Sequence, residues 1–393
     1  MPLTDLWLHS RDQLEDKHVQ QIIAFAGTGQ LRDGNAGSAE FRDFLSHVPS
    51  NLLRRYADQC LQEGFSGSGF ALQDIINEVG GRLGFHVTHG RYRGSPGQIG
   101  HDGLWLFPEG HTIIVEVKTT DTYRIDLDTL AGYRRALIQG GSITEERSSL
   151  LIVVGREDTG DLEAQIRGSR HAWDMRLISV DALMRLMVLK EEVEDPQIIR
   201  RIYAILIPRE FTKLDEIIEI LLSTAEEVKP EEPKDEDRDE EIKVPAFTPL
   251  AFHEACIPRL EQYLHCSLLK RSRASYSTPD GSFALTCAIS KTYERRGQVW
   301  FWYAFHPHQK EFLEQAHESF IAFGCGSEET LLLIPTAEFV TWLDGMNITQ
   351  RDDRFYWHVH ISKEADQLML HRKKGFKPLE LTRFLVPTSA SKS

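Results

Sequence analysis

The chain has 393 residues, 41% of them hydrophobic and 26% charged, with a formal net charge of −14 at neutral pH. That length carries two or three ordinary domains, each large enough for its own core, and the composition is that of a folded, water-exposed protein. Apolar runs stay far below a membrane span and Met1-Pro2-Leu3-Thr4-Asp5 opens no secretory signal, so the expectation is a cytoplasmic protein with no membrane partner.

Five scattered cysteines (Cys60, Cys256, Cys266, Cys287, Cys325) form no C-x-x-C pair, which favours reduced thiols and argues against a cysteine-based zinc site. Part of the acidity is local: Ala225 to Lys243 holds ten acids and four bases. Recognition of a polyanion depends on where the bases sit, so the net charge argues only against indiscriminate binding to one.

In chain order, residues 1–62 read as a helical region, with apolar residues at three- and four-residue intervals in HVQQIIAFAG and EFRDFLSHVPSNLLRRYADQCLQ. After the loop Phe65–Gly69, FALQDIINEVGGRL (70–83) is another amphipathic helix. Strands are expected at 84–90, 102–108, 112–118, 148–156 and 175–180, and helices at 127–139 and 161–174; helices dominate from Asp181 to about Leu222. This order suits a mixed α/β sheet flanked by helices over 63–225. The stretch 226–243 is too acidic and too poor in apolar residues to fold alone, and reads as a linker. A separate α+β domain is expected over 244–387, with strands at 281–290, 298–305, 318–326, 330–335 and 356–361, and helices at 250–266, 307–317 and 336–344. The polar tail from Thr388 is read as disordered.

The chemistry concentrates in TIIVEVK. Strand side chains alternate, so Glu116 and Lys118 share a face while Val117 points away. An acid at the end of an apolar run is costly to bury without a partner. A divalent cation beside a lysine meets that need, and Asp102, at the start of the preceding strand, can reach the same point. A strict two-residue turn at Glu109-Gly110 would set Asp102 opposite Val117, facing away. A three-residue loop or one bulge sets it opposite Glu116 or Lys118, so the metal-site reading requires an odd loop or a bulge. Magnesium, or manganese in its place, takes oxygen ligands, and Asp102, Glu116 and the Val117 carbonyl are the expected set. Glu78 on the preceding helix is the candidate fourth carboxylate. E-x-K alone says little: Glu15-Asp16-Lys17, Glu227-Val228-Lys229 and Glu241-Ile242-Lys243 repeat it without an apolar strand leading in.

On these residues the segment 65–180 resembles the restriction-endonuclease-like, PD-(D/E)XK, nuclease superfamily. The helix with Glu78, Asp102 as first acid and Glu116-Val117-Lys118 as the E-x-K follow that pattern in order, and the helix near Tyr133 and the strand SSLLIVVGR fit its core. Gly100-His101 stand where many members have proline, and Thr129 stands where one subset has the glutamine of a Q-x-x-x-Y motif. The resemblance implies the family's restriction-endonuclease-like fold and metal-dependent hydrolysis of phosphodiesters. Asp102, Glu116, Lys118 and Glu78 would be the catalytic residues, with Lys118 orienting water or contacting phosphate. The expectation is a DNA endonuclease of prokaryotic restriction or anti-phage defence, with RNA left open, working as a homodimer or within a partner-protein complex. The alternative is a degenerate or conditionally active nuclease module that docks on a partner complex and binds nucleic acid.

Other residues have candidate roles beside ordinary ones. Arg91 and Arg93, in a loop with Gly94, Gly97 and Gly100, could contact phosphates, as could Arg134 and, with a weaker claim, Arg135, Arg156, Arg167 and Arg170. Tyr123 and Tyr133 suit either stacking or the core. His306/His308 and His358/His360 form two H-x-H pairs that on strands could offer four imidazoles to zinc, although no carboxylate or cysteine spacing supports them. LLKRSRASYS (268–277) and HRKKGFK (371–377) are basic segments with an aromatic nearby, fit to track a nucleic-acid backbone or to be plain solvated faces.

Overall fold

The computed structural model describes residues 2–93, 99–119, 125–155, 160–208, 249–295, 297–351, 354–364 and 367–387. Gly94, Gly97, Tyr123, Arg156, the stretch 226–243 and the tail from 388 lie outside them. The chain divides into two compact units, Met1–Val228 and Lys229–Ser393.

The first unit opens with α1 (Leu3–His9), α2 (Arg11–Leu14), α3 (Val19–Phe25), α4 (Ala36–Leu45) and α5 (Ser50–Gln62), followed by α6 (Ser68–Leu83). Trp7, Phe41, Phe44 and Tyr56 of the opening helices bury into one core with α6 and the sheet, so residues 1–62 pack as part of the α/β unit. The sheet runs β1 (His86–His89), β2 (Gly103–Leu106), β3 (Thr112–Lys118), β4 (Ser148–Val154), β5 (Met175–Ser179) in spatial order. The first three strands pair antiparallel and the last three parallel. Between the parallel strands come α7 (Leu127–Gln139) and α8 (Gly160–Arg167); α9 (Val180–Glu191) and α10 (Pro196–Ala204) follow β5.

Period-two alternation gives each sheet face its own helices. Ile113, Val115, Leu151 and Val153 face α6 and α9, whereas Ile114, Leu150, Ile152 and Val154 face α7 and α8. Helix α8 is shorter than the expected 161–174. It stops before Gly168, where the Ser169 hydroxyl donates to the Ile166 carbonyl at 2.8 Å and ends the turn.

The β2–β3 hairpin decides the register. Phe107 N–H donates to the His111 carbonyl at 2.7 Å and Gly110 N–H to the Phe107 carbonyl at 2.8 Å. The loop is therefore Pro108-Glu109-Gly110, with Gly110 at φ 88° closing the turn in the left-handed region. Three residues rather than two place Gly103 opposite Val115 and Trp105 opposite Ile113.

The second unit begins with α11 (Pro249–Leu264). One sheet contains β6 (Leu269–Lys270), β7 (Ser275–Ser277), β8 (Phe283–Ser290), β11 (Glu318–Cys325) and β12 (Leu331–Pro335). The other contains β9 (Tyr293–Arg295), β10 (Gln298–Phe305), β13 (Asn347–Arg351), β14 (Arg354–Glu364), β15 (Gln367–His371) and β16 (Leu379–Glu380). Helices α12 (Pro307–Glu314) and α13 (Thr336–Val340) lie between strands in the chain. Cys256 and Leu260 of α11 pack on Leu285, Cys287 and Leu333 of the first sheet. Its other face, with Ile321, Phe323 and Ile334, packs on Phe301, Tyr303, Val359 and Ile361 of the second. The polar strand β13, the short strand β15 and the β6–β7 hairpin, which lies inside the segment read as a basic face, escaped the sequence pattern.

Helix α6 packs so closely on the sheet that a Cβ at Gly80 would lie 2.5 Å from the Trp105 ring, whereas a Cβ at Gly81 meets no atom within 4 Å. Gly→Ala in a helix is ordinarily worth up to about 1 kcal/mol of stability. Gly81→Ala is expected to show that gain in urea unfolding, and Gly80→Ala the opposite sign, a loss of about 1–3 kcal/mol from overpacking. Equal gains in both would contradict this packing.

Candidate active site

At the end of β3, Glu116 and Lys118 break the apolar row that faces α7. Asp102 immediately precedes β2, whose Gly103 pairs with Val115, so extending the register brings Asp102 against Glu116. The ladder shifts at this point: Asp102 N–H donates to the Val115 carbonyl at 3.0 Å. In addition, the Asp102 carboxylate accepts the Val117 N–H at 2.6 Å. A strand-end carboxylate thus takes the place of a main-chain partner.

Helix α6 fixes the Asp102 backbone. The side-chain amides of Gln73 and Asn77 donate to its carbonyl at 3.1 and 2.9 Å, and Gly90 N–H does so at 2.9 Å. Asn77 Oδ1 in turn accepts the Trp105 indole N–H at 3.0 Å. This approach is tight enough that a Cβ at Gly103 would sit 2.1 Å from Asn77 Oδ1. Gln73 and Asn77 were missed in the sequence; the available signal was a polar i, i+4 pair on an otherwise apolar helix face.

Glu116 is only 7% exposed. Its Oε1 accepts Lys118 Nζ at 2.5 Å, and its Oε2 is buried without a hydrogen-bond partner. Burial and the neighbouring Glu116 carboxylate push Asp102 up to about 7, against the Val117 N–H and Lys118, which pull it down. Burial also raises Glu116, although Lys118 opposes the shift. For Lys118 burial disfavours the charge, but Glu116 and Asp102 outweigh it and the pKa rises. A buried carboxylate and a half-buried one thus lie beside one lysine, which bonds Glu116, with a Glu116 oxygen left over. This donor set suits a hard divalent cation. Among the described residues no group of three or more His, Cys, Asp and Glu side chains is arranged to hold a metal, so a cation here would rely on two carboxylates supplemented by main-chain and water oxygens.

Glu116 and Lys118 open into a cleft of about 360 Å³, lined also by Ile125, Asp126, Thr129, Leu130 and Tyr133. Asp126 caps α7 by accepting the Thr129 N–H at 3.0 Å, and Gln165 accepts the Ile125 N–H at 3.1 Å, so the cleft's rim is fixed at both ends. Tyr133 stands over Gly100, where an added Cβ would lie 3.1 Å from its hydroxyl. Burial and then Glu116 raise the Tyr133 pKa, which keeps its hydroxyl protonated as a donor.

Other expectations are corrected. Glu78 is not brought to the pair: its Oε1 accepts Arg82 Nε at 2.8 Å, and buried Arg82 also binds the Leu45 and Val48 carbonyls. The fully buried acid of α6 is Asp74, which accepts Arg42 Nε at 2.8 Å and the Tyr92 hydroxyl. Arg134 is buried, donating to the Ser148 hydroxyl at 2.9 Å and pairing with Asp174 at 3.1 Å, so it supports β4 instead of meeting phosphate. Arg167 pairs with Glu163, and Arg170 with Asp128. Arg91 and Arg93 are exposed on either side of buried Tyr92, whose N–H donates to Asp33 at 2.9 Å. Arg93 lies 5.9 Å over the Phe70 ring in the first turn of α6. In the second unit His306 caps α12 and His308 lies within it, so the two H-x-H pairs are not both on strands. His358 Nδ1 accepts the Trp302 indole N–H at 3.1 Å, and its Nε2 lies 2.7 Å from the Thr349 hydroxyl, which leaves it no nitrogen for zinc.

No family model matches the chain, and no curated protein matches it. Among solved structures, a complex of restriction endonuclease PspGI with its substrate DNA aligns at 14% identity over 57% of this chain and 94% of that one, with a TM-score of 0.21. Among the described residues no helix is long and apolar enough to cross a membrane.

The raised Asp102 pKa has a signed consequence. Unfolded, the acid titrates near its ordinary ~3.9, so the folded chain holds the extra proton up to about pH 7. Stability of the chelator-treated chain should therefore fall as pH rises between these values, with Asp102 contributing at most about 1.4 kcal/mol per pH unit. Urea unfolding at pH 5, 6, 7 and 8 in EDTA should show this fall in wild type and a flatter profile in Asp102→Asn. Identical profiles would contradict the burial of Asp102.

Proposed function

We propose that the first unit is a divalent-metal-dependent nuclease of the restriction-endonuclease-like kind, hydrolysing phosphodiester bonds of DNA. The observation that carries this reading is the pairing of a half-buried carboxylate, Asp102, with a buried one, Glu116, beside Lys118 at the mouth of a cleft. In this reading Asp102, Glu116 and the Val117 carbonyl hold magnesium or manganese. The bound cation supplies a water of lowered pKa and offsets charge on the scissile phosphate. Lys118 would orient the attacking water or meet a phosphate oxygen. Gln73 and Asn77 fix the Asp102 main chain, so its carboxylate is aimed before substrate arrives. Tyr133 offers a hydroxyl and a ring face to the strand in the cleft, and exposed Arg91 and Arg93 supply positive charge to its phosphates. One such site cuts one strand, so duplex cleavage calls for a homodimer or a partner complex. The biological setting that suits these features is prokaryotic restriction or anti-phage defence.

The direct Lys118–Glu116 ion pair favours a second reading, a conditionally active module that docks on a partner complex. In that case the pair holds the site shut until a partner or substrate separates it.

Plasmid nicking with Mg²⁺ or Mn²⁺ separates the two readings. On the leading reading wild type cuts, EDTA abolishes cutting, and Asp102→Asn, Glu116→Gln and Lys118→Ala each lower the rate roughly 10²–10⁴-fold. Activity that survives all three substitutions would end the nuclease reading. Activity appearing only with a partner added would select the second.

A further inference from the structure

The larger sheet of the second unit has two unlike faces. Along QVWFWYAF and RFYWHVHI the residues Phe301, Tyr303, Val359 and Ile361 turn inward and are almost fully buried. Their neighbours Trp300, Trp302, Tyr356, His358 and His360 turn outward and are half-buried. His371 of β15 joins them opposite His360.

These outward rings form a continuous surface. Tyr356 and His358 centroids are 5.0 Å apart, His358 and His360 5.7 Å with planes 5° apart, Trp302 and His358 5.9 Å, and Trp300 and His371 4.4 Å. An apolar helix or a lipid surface would be matched by aliphatic side chains. Indoles, a phenol and imidazoles match flat, unsaturated, polar rings instead. Immediately after His371 the chain continues Arg372-Lys373-Lys374-Gly375-Phe376-Lys377, with four cations and no acid. Lys374 and Lys377 are exposed, and Arg372 lies 5.0 Å over the ring of Phe376, itself 48% exposed. A row of stacking rings bordered by cations is the chemistry that holds an unpaired nucleic-acid strand, whose bases offer π faces that a duplex hides.

We propose that this face binds single-stranded nucleic acid, with bases stacked on Trp302, Tyr356 and the neighbouring imidazoles and phosphates along Arg372–Lys377. The inference rests on the nuclease reading only in making that strand the substrate class delivered for cutting.

The test uses the full chain in EDTA, with fluorescence anisotropy of labelled oligo-dT, oligo-U and a duplex of equal length. Single strands of one or both sugars should bind at least about tenfold more tightly than the duplex. Trp302→Ala and Tyr356→Ala should each weaken that binding roughly five- to 150-fold. The exposed pair Lys374→Glu/Lys377→Glu, which leaves the core untouched, should weaken it and flatten its salt dependence. Unchanged binding in both the aromatic and the lysine variants overturns the proposal. So does a Trp302→Ala variant that loses only self-association. Repeating the series with Mg²⁺ keeps the two ideas apart. A chain that binds through Trp302 but cuts nothing defeats the nuclease reading alone, whereas one that cuts but binds independently of these residues defeats the platform alone.

Discussion

Two neighbouring carboxylates, Glu116 buried and Asp102 half-buried, are the constraint around which the first unit is arranged. The three-residue loop Pro108-Glu109-Gly110 sets the β2–β3 register that brings Asp102 to Glu116 rather than to the opposite side of the sheet. Left alone, such a pair repels, and each acid resists ionisation. The fold compensates in part, with the Val117 N–H on Asp102 and the Lys118 ammonium on Glu116, and it leaves Glu116 Oε2 without a partner. Incomplete compensation in a buried site is expensive for stability and is where proteins keep chemistry.

The rest of the unit stiffens that arrangement. Asn77 ties Asp102 to Trp105 through one amide, with its Nδ2 on the carbonyl and its Oδ1 on the indole. Asp74, fully buried beneath Arg42 and Tyr92, ties Tyr92 to α4 and α6. Both devices sit on α6, so the helix that fills the core also aims the site.

The apolar run ending in Glu116-Val117-Lys118 was legible because a buried strand tolerates an acid only for a reason, and the span of α7 followed from the periodicity of 127–139. Side-chain direction on α6 was not legible. With Gln73, Asp74 and Asn77 all buried, periodicity could not tell which polar residue faced the sheet, and Glu78 was chosen although it pairs with Arg82. Arg134 misled for a related reason: an arginine on the helix after an E-x-K strand looks like a phosphate ligand, but here its fork joins Ser148, the Glu145 carbonyl and Asp174. In the second unit β13 was invisible because NITQR is mostly polar, and β15 because the five residues QLMLH are too few to show a period, whereas β10 and β14 announced themselves through aromatic alternation. The same alternation held the clue to the outward ring surface, which a search for zinc ligands among the histidines passed over.

Binding of Mn²⁺, followed by the loss of the free-ion electron paramagnetic resonance signal, tests the central claim most directly. One ion per chain should bind to wild type, and Glu116→Gln should abolish that binding while leaving the circular dichroism spectrum intact. Equal Mn²⁺ uptake by both proteins, or none by wild type, would contradict a metal centre at Asp102 and Glu116.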